Sequence, residues 1–212
     1  MESIMERVRS SLRPLIAAAQ RRGITPNRLS VINLGLAAAA GLLLALFPGA
    51  QLPLLLLALV LMLRVVLDLL DGMMARELGE CSELGVLLNE TVEALGATLL
   101  YLPLALHPGI AAWLLVLVVT LGLCAEIVGL SALKIGPERR LEGPFGKRDR
   151  AILFAVIGLI LAFDTQAAAW LPWLLLPAVA LTLITIGNRF RAALRASGRN
   201  RPLLDEHENQ NR

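Results

Sequence analysis

LSVINLGLAAAAGLLLALFPGAQLPLLLLALVLML, residues 29–63, holds no charged side chain between Arg28 and Arg64. A bilayer core is crossed by roughly 20 apolar residues in a helix, so this stretch is too long for one crossing. Pro48-Gly49 and Pro53 interrupt it, which predicts one span over 29–47 and a second beginning near Leu52. Outward from there, the second span runs on through Asp68 and Asp71, and a third covers 84–106, ended by His107-Pro108-Gly109. A fourth covers 110–133 and carries Glu126; a fifth, with a short apolar run, covers 149–164; a sixth covers 168–188. The predicted fold is an all-α integral membrane protein. A six-transmembrane-helix bundle occupies 27–191, between an N-terminal cytoplasmic segment, 1–26, and a polar cytoplasmic tail, 192–212.

Composition agrees with this class and excludes others. Of 212 residues, 57% are hydrophobic and 17% charged, whereas soluble domains average about 25% charged. That argues against a cytosolic enzyme and a disordered chain. Aromatics at 4% argue against an aromatic-girdled β-barrel. Two cysteines, Cys81 and Cys124, make neither a disulfide framework nor a zinc cluster. The net charge of +3 does not point to nucleic acid, because the basic residues are distributed by topology. Eighteen of the 20 Lys and Arg residues fall in 1–28, 134–150 and 189–212, and the turns near Pro48, His107 and Asp164 hold none. The positive-inside rule then predicts a multi-pass protein with both termini cytoplasmic, and the expected location is a bacterial-type inner membrane. No secretory signal pattern follows the first basic residues. Ile4, Val8 and Leu12 recur at helical spacing among arginines, which predicts an interfacial amphipathic helix on anionic lipid, ended near Pro14.

Acids inside membrane spans cost about 2.5–3.5 kcal/mol each on insertion scales, so a cluster of them points to function. Asp68 and Asp71 are three apart on the second span, and Asn89 and Glu93 are four apart on the third. Each pair shares a helix face. The two spans are expected to be antiparallel neighbours whose pairs face each other at the cytoplasmic end. Three or four converging oxygens suit Mg²⁺ or Mn²⁺, with no His or Cys placed for zinc. Buried salt bridges to Arg64 and Arg76 are the structural alternative. Gly72 and Ala75 lie on the side of Asp68 and Asp71 and allow close approach of a ligand, as Gly85 does on span three. Arg76 follows within a turn and can grip phosphate bidentately. Metal ligands, a floor of small residues and a guanidinium describe a pyrophosphate site at the membrane surface.

These residues carry a resemblance. Asp68-x₂-Asp71-Gly72-x₂-Ala75-Arg76-x₈-Gly85-x₃-Asn89-x₃-Glu93 resembles the signature of the CDP-alcohol phosphotransferases, D-x₂-D-G-x₂-A-R-x₈-G-x₃-D-x₃-D. Thr25-Pro26-Asn27 is similar to that family's entry to its first helix. The resemblance implies transfer of a phosphoalcohol, often phosphatidyl, group from a CDP-alcohol lipid such as CDP-diacylglycerol to a small hydroxyl acceptor, with release of CMP, in phospholipid biosynthesis. It implies two divalent cations, Mg²⁺ or Mn²⁺, and a homodimer. Asp68, Asp71, Asn89 and Glu93 would ligate metal; Gly72, Ala75, Arg76 and Gly85 would hold the CDP moiety. Glu93 would be the catalytic base. Asn89 stands where the signature has its third Asp, keeping an oxygen ligand and losing a charge. Glu93 stands where it has the fourth, keeping the charge and adding a methylene. Glu90, beside Asn89, is a candidate for the missing carboxylate, although it points about 100° away around the helix.

On the acceptor side, Lys147, Arg148 and Arg150 open span five and Arg189 and Arg191 leave span six. They are candidates for an acceptor phosphate or lipid headgroup. Glu126, deeper in span four, reads as a paired structural acid or as a wall of the site. Two further functions remain open: a silent family member that binds CDP-lipid, and a small cation transporter.

Overall fold

The computed structural model describes residues 2–77 and 82–197. Cys81 and the chain beyond Ser197 lie outside the described residues, as do the side chains of Ile4 and Val8. Seven α-helices are described: α1 (Glu2–Arg21), α2 (Pro26–Leu46), α3 (Gln51–Glu77), α4 (Glu83–Tyr101), α5 (Ala112–Ser131), α6 (Lys147–Phe163) and α7 (Pro172–Ser197). No strand occurs among the described residues. Four helices, α2, α3, α5 and α7, are long and apolar enough to cross a membrane. The expected six crossings are therefore not all met by length and composition: α4 carries Glu83, Glu90 and Glu93, and α6 has 17 residues.

Local chemistry sets the ends of these helices. Thr25 Oγ1 accepts from the Arg28 backbone N–H, and Pro26 takes the first position of α2, where its missing N–H costs nothing. Ser82 Oγ caps α4 by accepting from the Gly85 N–H at 3.0 Å. The third expected span, 84–106, is helical to its expected end but is not α-helix throughout. Its α-helix stops at Tyr101 and continues as a 3-10 turn over Leu102–Leu106, where Pro103 has no N–H to give to the α-helical ladder. The last helix runs past the expected end at Asn188 to Ser197, so the tail expected from 192 begins as helix.

The N-terminal helix also differs from expectation. It does not end near Pro14 but runs through it to Arg21. The residues after the proline are held by packing: Ile16, 3% exposed, is buried with Leu29 of α2 and Met74 of α3.

The turns without basic residues gather at one end of the bundle. Gly49 and Gly109 both take φ of +83°, a left-handed conformation open to glycine. A Cβ on Gly49 would lie 3.5 Å from the Pro108 ring, and one on Gly109 would lie 3.3 Å from Ala168. The α2–α3, α4–α5 and α6–α7 connections thus touch. α2 packs on both α3 and α4, α3 on α6, and α5 on α7. The core between them holds Leu57, Leu100, Leu115, Val118, Phe154, Ile157 and Leu175. Large apolar side chains such as Met62, Trp113, Phe163 and Trp173 cover the outside, as suits a surface facing lipid.

One expectation about packing is corrected. α3 and α4 share no packed seam. Instead α2 lies against both, and Arg64 of α3 reaches across to donate to the carbonyls of Asn33 on α2 (3.2 Å) and Val92 on α4 (3.4 Å). Gly96 makes room for it, since a Cβ there would collide with the Arg64 guanidinium. The space left between α3 and α4 becomes the site.

Candidate active site

Two polar residues of the apolar α2 set the acids of α3. Asn33 Nδ2 donates to Asp68 Oδ1 at 2.6 Å, and Ser30 Oγ donates to Asp71 Oδ2 at 3.0 Å. Ser30 and Asn33 are three apart, as are Asp68 and Asp71, so one turn of each helix is in register. Ser30, Asn33 and Asp71 are buried. A buried carboxylate is held in one orientation when a neighbouring donor fixes one of its oxygens.

Asp68 borders a cavity of about 590 Å³ between α3, α4, α5 and the start of α6. Across it, Glu93 of α4 pairs with Lys147 through Nζ–Oε1 at 2.6 Å. The Lys147 ammonium is also within electrostatic reach of Asp68 and Asp71. It stands where the negative charge of the cluster accumulates. Arg76, Arg148, Arg64 and Tyr101 line the same cavity, and Tyr101 is held by stacking on Phe154 with ring centroids 4.0 Å apart.

The opposite wall is a second ionic cluster, centred on Glu126 of α5. Arg150 Nη2 donates to Glu126 Oε1 at 2.7 Å, Arg139 Nη2 to Oε2 at 3.0 Å, and Arg189 Nη1 approaches Oε2 at 3.3 Å. Arg139 also pairs with Glu90. Arg189, 2% exposed, donates to the Ala125 carbonyl as well, and Arg150 Nη1 reaches the Phe145 carbonyl at 3.5 Å.

The expected site residues thus fall into groups. Asp68, Arg76, Glu93, Lys147, Arg148 and Arg150 line the cavity; Asp71, Gly72, Ala75, Gly85, Asn89, Arg189 and Arg191 do not. Asp71 sits behind the wall on Ser30, and a Cβ on Gly85 would lie 3.1 Å from Asn27 Oδ1. Asn89 is half-buried one turn before Glu93, and Arg191 is exposed. Glu90 does not join Asp68 and Asp71, because its carboxylate is taken by Arg139. Ser30, Asn33 and Arg139 were missed from sequence. The signal for the first two was a polar pair at three-residue spacing, matching the acids, inside a span otherwise almost wholly apolar.

Among the described residues, no three His, Cys, Asp or Glu side chains stand close enough together to hold a metal ion. The donor set nonetheless fits a hard divalent cation. Mg²⁺ is commonly held by one or two carboxylates together with substrate phosphates. Asp68 and Asp71 supply two such groups, each fixed by a donor from α2, and the Lys147 ammonium already supplies positive charge beside them.

Residues 23–184 match the sequence profile of the CDP-alcohol phosphatidyltransferases. The chain belongs to that family. Among relatives, the inner membrane protein YnbA of Escherichia coli (strain K12) is 38% identical over 185 residues, 87% of this chain and 92% of that one. Among solved structures, phosphatidylinositol phosphate synthase (PgsA1) of Mycobacterium tuberculosis with CDP-DAG bound superposes with a TM-score of 0.74 at 20% identity. That match covers 90% of this chain and 96% of the other. The same enzyme in complex with manganese and citrate gives 0.74 at 20% identity, over 90% and 92% of the two chains. These likenesses show a shared fold.

Proposed function

We propose that this chain is a divalent-metal-dependent membrane transferase. It moves a phosphoalcohol group, phosphatidyl in the first instance, from a CDP-alcohol to a small hydroxyl acceptor and releases CMP. The observation that carries the reading is the paired register of Ser30 and Asn33 with Asp71 and Asp68, of which Asp68 faces Glu93 across a cavity bordered by Arg76 and Arg148. Buried carboxylates oriented in this way are an expense that a purely structural helix pair avoids.

Asp68 and Asp71 hold the cation, with Asn89 as a neutral oxygen donor nearby. When bound, it offsets the charge that develops on the departing CMP. Arg76 and Arg148 hold the pyrophosphate, and Gly72, Ala75 and Gly85 leave room for the nucleotide. Glu93 accepts the proton of the acceptor hydroxyl as its oxygen bonds to the β-phosphorus and the bond from that phosphorus to the bridging oxygen breaks. Lys147 holds the Glu93 carboxylate in the cavity until the acceptor arrives. CDP-diacylglycerol is the donor of choice, because its tails can lie among the exposed apolar side chains while its headgroup reaches the acids; PgsA1 has been crystallised with that lipid. The PgsA1 complex with manganese supports Mn²⁺ or Mg²⁺ here. α4 and α6 complete six crossings, α1 lies at the interface, and two copies pair. Both termini and the site face the cytoplasm across an inner membrane, as the distribution of Lys and Arg and the name of the YnbA relative support.

A second reading, a family member that binds CDP-lipid without turning it over, is favoured by the Lys147–Glu93 pair and by Asn89. Incubation with CDP-diacylglycerol, Mn²⁺ or Mg²⁺ and a panel of labelled alcohols, following CMP, decides. Metal-dependent CMP release that EDTA abolishes supports the transferase. Saturable CDP-lipid binding with no CMP release from any acceptor supports the silent member.

A further inference from the structure

We propose that Glu126 is a resident anion filling the arginine cluster of the acceptor side, and that the acceptor alcohol therefore carries no phosphate. The inference rests on the transferase reading above and names its substrate class. Arg150 and Arg189 are two of the cations a phosphorylated acceptor would seek, and with Arg139 they converge on one carboxylate. Both its oxygens are used: Oε1 by Arg150 at 2.7 Å, Oε2 by Arg139 at 3.0 Å and Arg189 at 3.3 Å. Arg139 Nη1 is drawn off by Glu90 and Arg150 Nη1 by the Phe145 carbonyl, and Arg189 Nη1 is shared between Glu126 and the Ala125 carbonyl.

The slot is shaped for this arrangement. Gly122 and Gly129 lie one turn to either side of Glu126 on α5. A Cβ on Gly122 would stand 2.8 Å from Arg150 Nε, and one on Gly129 would stand 3.2 Å from Arg189 Nη1. A side chain at 122 would keep the Arg150 guanidinium from the carboxylate, and one at 129 would first meet the Arg140 carbonyl oxygen, 2.5 Å from its Cβ. A phosphate monoester entering the cluster has to displace an anion tethered at high effective concentration and leave that carboxylate buried without its partners. The cluster nevertheless holds more donors than Glu126 satisfies, since Arg139 Nε and Arg189 Nε are buried without an acceptor. Once the carboxylate is removed, the same guanidiniums form a receptor for a larger anion. Glu126 is thus a specificity-determining residue that turns a phosphate receptor into a wall whose charge is mostly balanced.

The test uses the full chain in lipid nanodiscs, with CMP present to fill the donor side, titrated calorimetrically with inorganic phosphate. The wild type is expected to show no saturable binding. Glu126→Gln is expected to bind phosphate at least about tenfold more tightly than the wild type, and Glu126→Asp, which keeps the anion, to behave as wild type. Equal phosphate affinity in wild type and Glu126→Gln, or none in a folded Glu126→Gln, overturns the proposal. If that variant does not fold, the wild type decides. Saturable phosphate binding, or faster CMP release from CDP-diacylglycerol with sn-glycerol 3-phosphate than with glycerol, overturns it. No binding together with a preference for the unphosphorylated acceptor supports it. Should no acceptor release CMP, the transferase reading fails alone, and the phosphate titration still decides whether Glu126 fills the cluster.

Discussion

The two walls of the cavity hold charge in different ways. On the α3–α4 side, Asp68 and Asp71 take neutral donors, Asn33 and Ser30, and Glu93 holds a lysine whose side chain is 43% exposed. On the α5–α7 side, Glu126 is enclosed by three guanidiniums, one of them 2% exposed. A neutral hydrogen bond orients a carboxylate without cancelling its charge, whereas an ion pair spends that charge on architecture. The first wall is left with negative charge for an incoming cation. The second has balanced most of its own. Counting acids and bases along the sequence does not separate these cases, because the partners decide.

The contrast can be broken most directly on the first wall. Asp68→Ala and Asp71→Ala are expected to bring CMP release to background and to abolish Mn²⁺ binding, with the protein still inserting. CMP assays and Mn²⁺ titration followed by electron paramagnetic resonance read both, and wild-type turnover in either variant would place the chemistry elsewhere. Next in size is Glu93→Gln, which removes the proton acceptor with little change of shape. The rate should fall by about 10²- to 10⁴-fold, with Mn²⁺ affinity changed far less. A rate equal to wild type at saturating acceptor removes Glu93 from the base role.

Smaller effects sharpen the comparison. Ser30→Ala and Asn33→Ala leave the carboxylates in place but unoriented, so Mn²⁺ affinity should weaken by about 10- to 100-fold. An unchanged affinity would mean that α2 serves packing alone. On the second wall, Gly122→Ala pushes a methyl group against Arg150. It is expected to lower stability by about 1–3 kcal/mol, read from unfolding in detergent, and to leave Mn²⁺ affinity as it was. If metal affinity falls as much as stability, the two walls are not independent.

Much of this was legible in the sequence. The uncharged stretch 29–63 and the breaks at Pro48 and His107 locate α2 to α5 within a few residues, because exclusion of charge is a local property. The spacing from Asp68 to Glu93 marks the acid wall and carries the family resemblance. Pairing was not legible. That Asn33 meets Asp68 and Ser30 meets Asp71 depends on the register of two helices, and that Glu90 is taken by Arg139 depends on the path of the loop before α6. The separation of α3 from α4 was hidden too, since a short connection predicts packed neighbours and only Arg64 lying over Gly96 shows what holds them apart. Pro14 misled for a related reason. A proline in a helix has a local cost, and the burial of Ile16 against Met74, which offsets it, is remote in sequence.

The enclosure of Glu126 bears on how the chain is made. Its first arginine partner follows 13 residues later and the second 24 residues later, with Arg189 on the last helix. When α5 emerges from the ribosome, its carboxylate meets the lipid with none of these partners present. A lone acid within a span works against partitioning into the bilayer, so α5 gains a settled place only as α6 and α7 arrive. The C-terminal half is then assembled as one unit, and truncation after α5 strands a helix that is apolar enough to insert yet carries a charge it cannot neutralise.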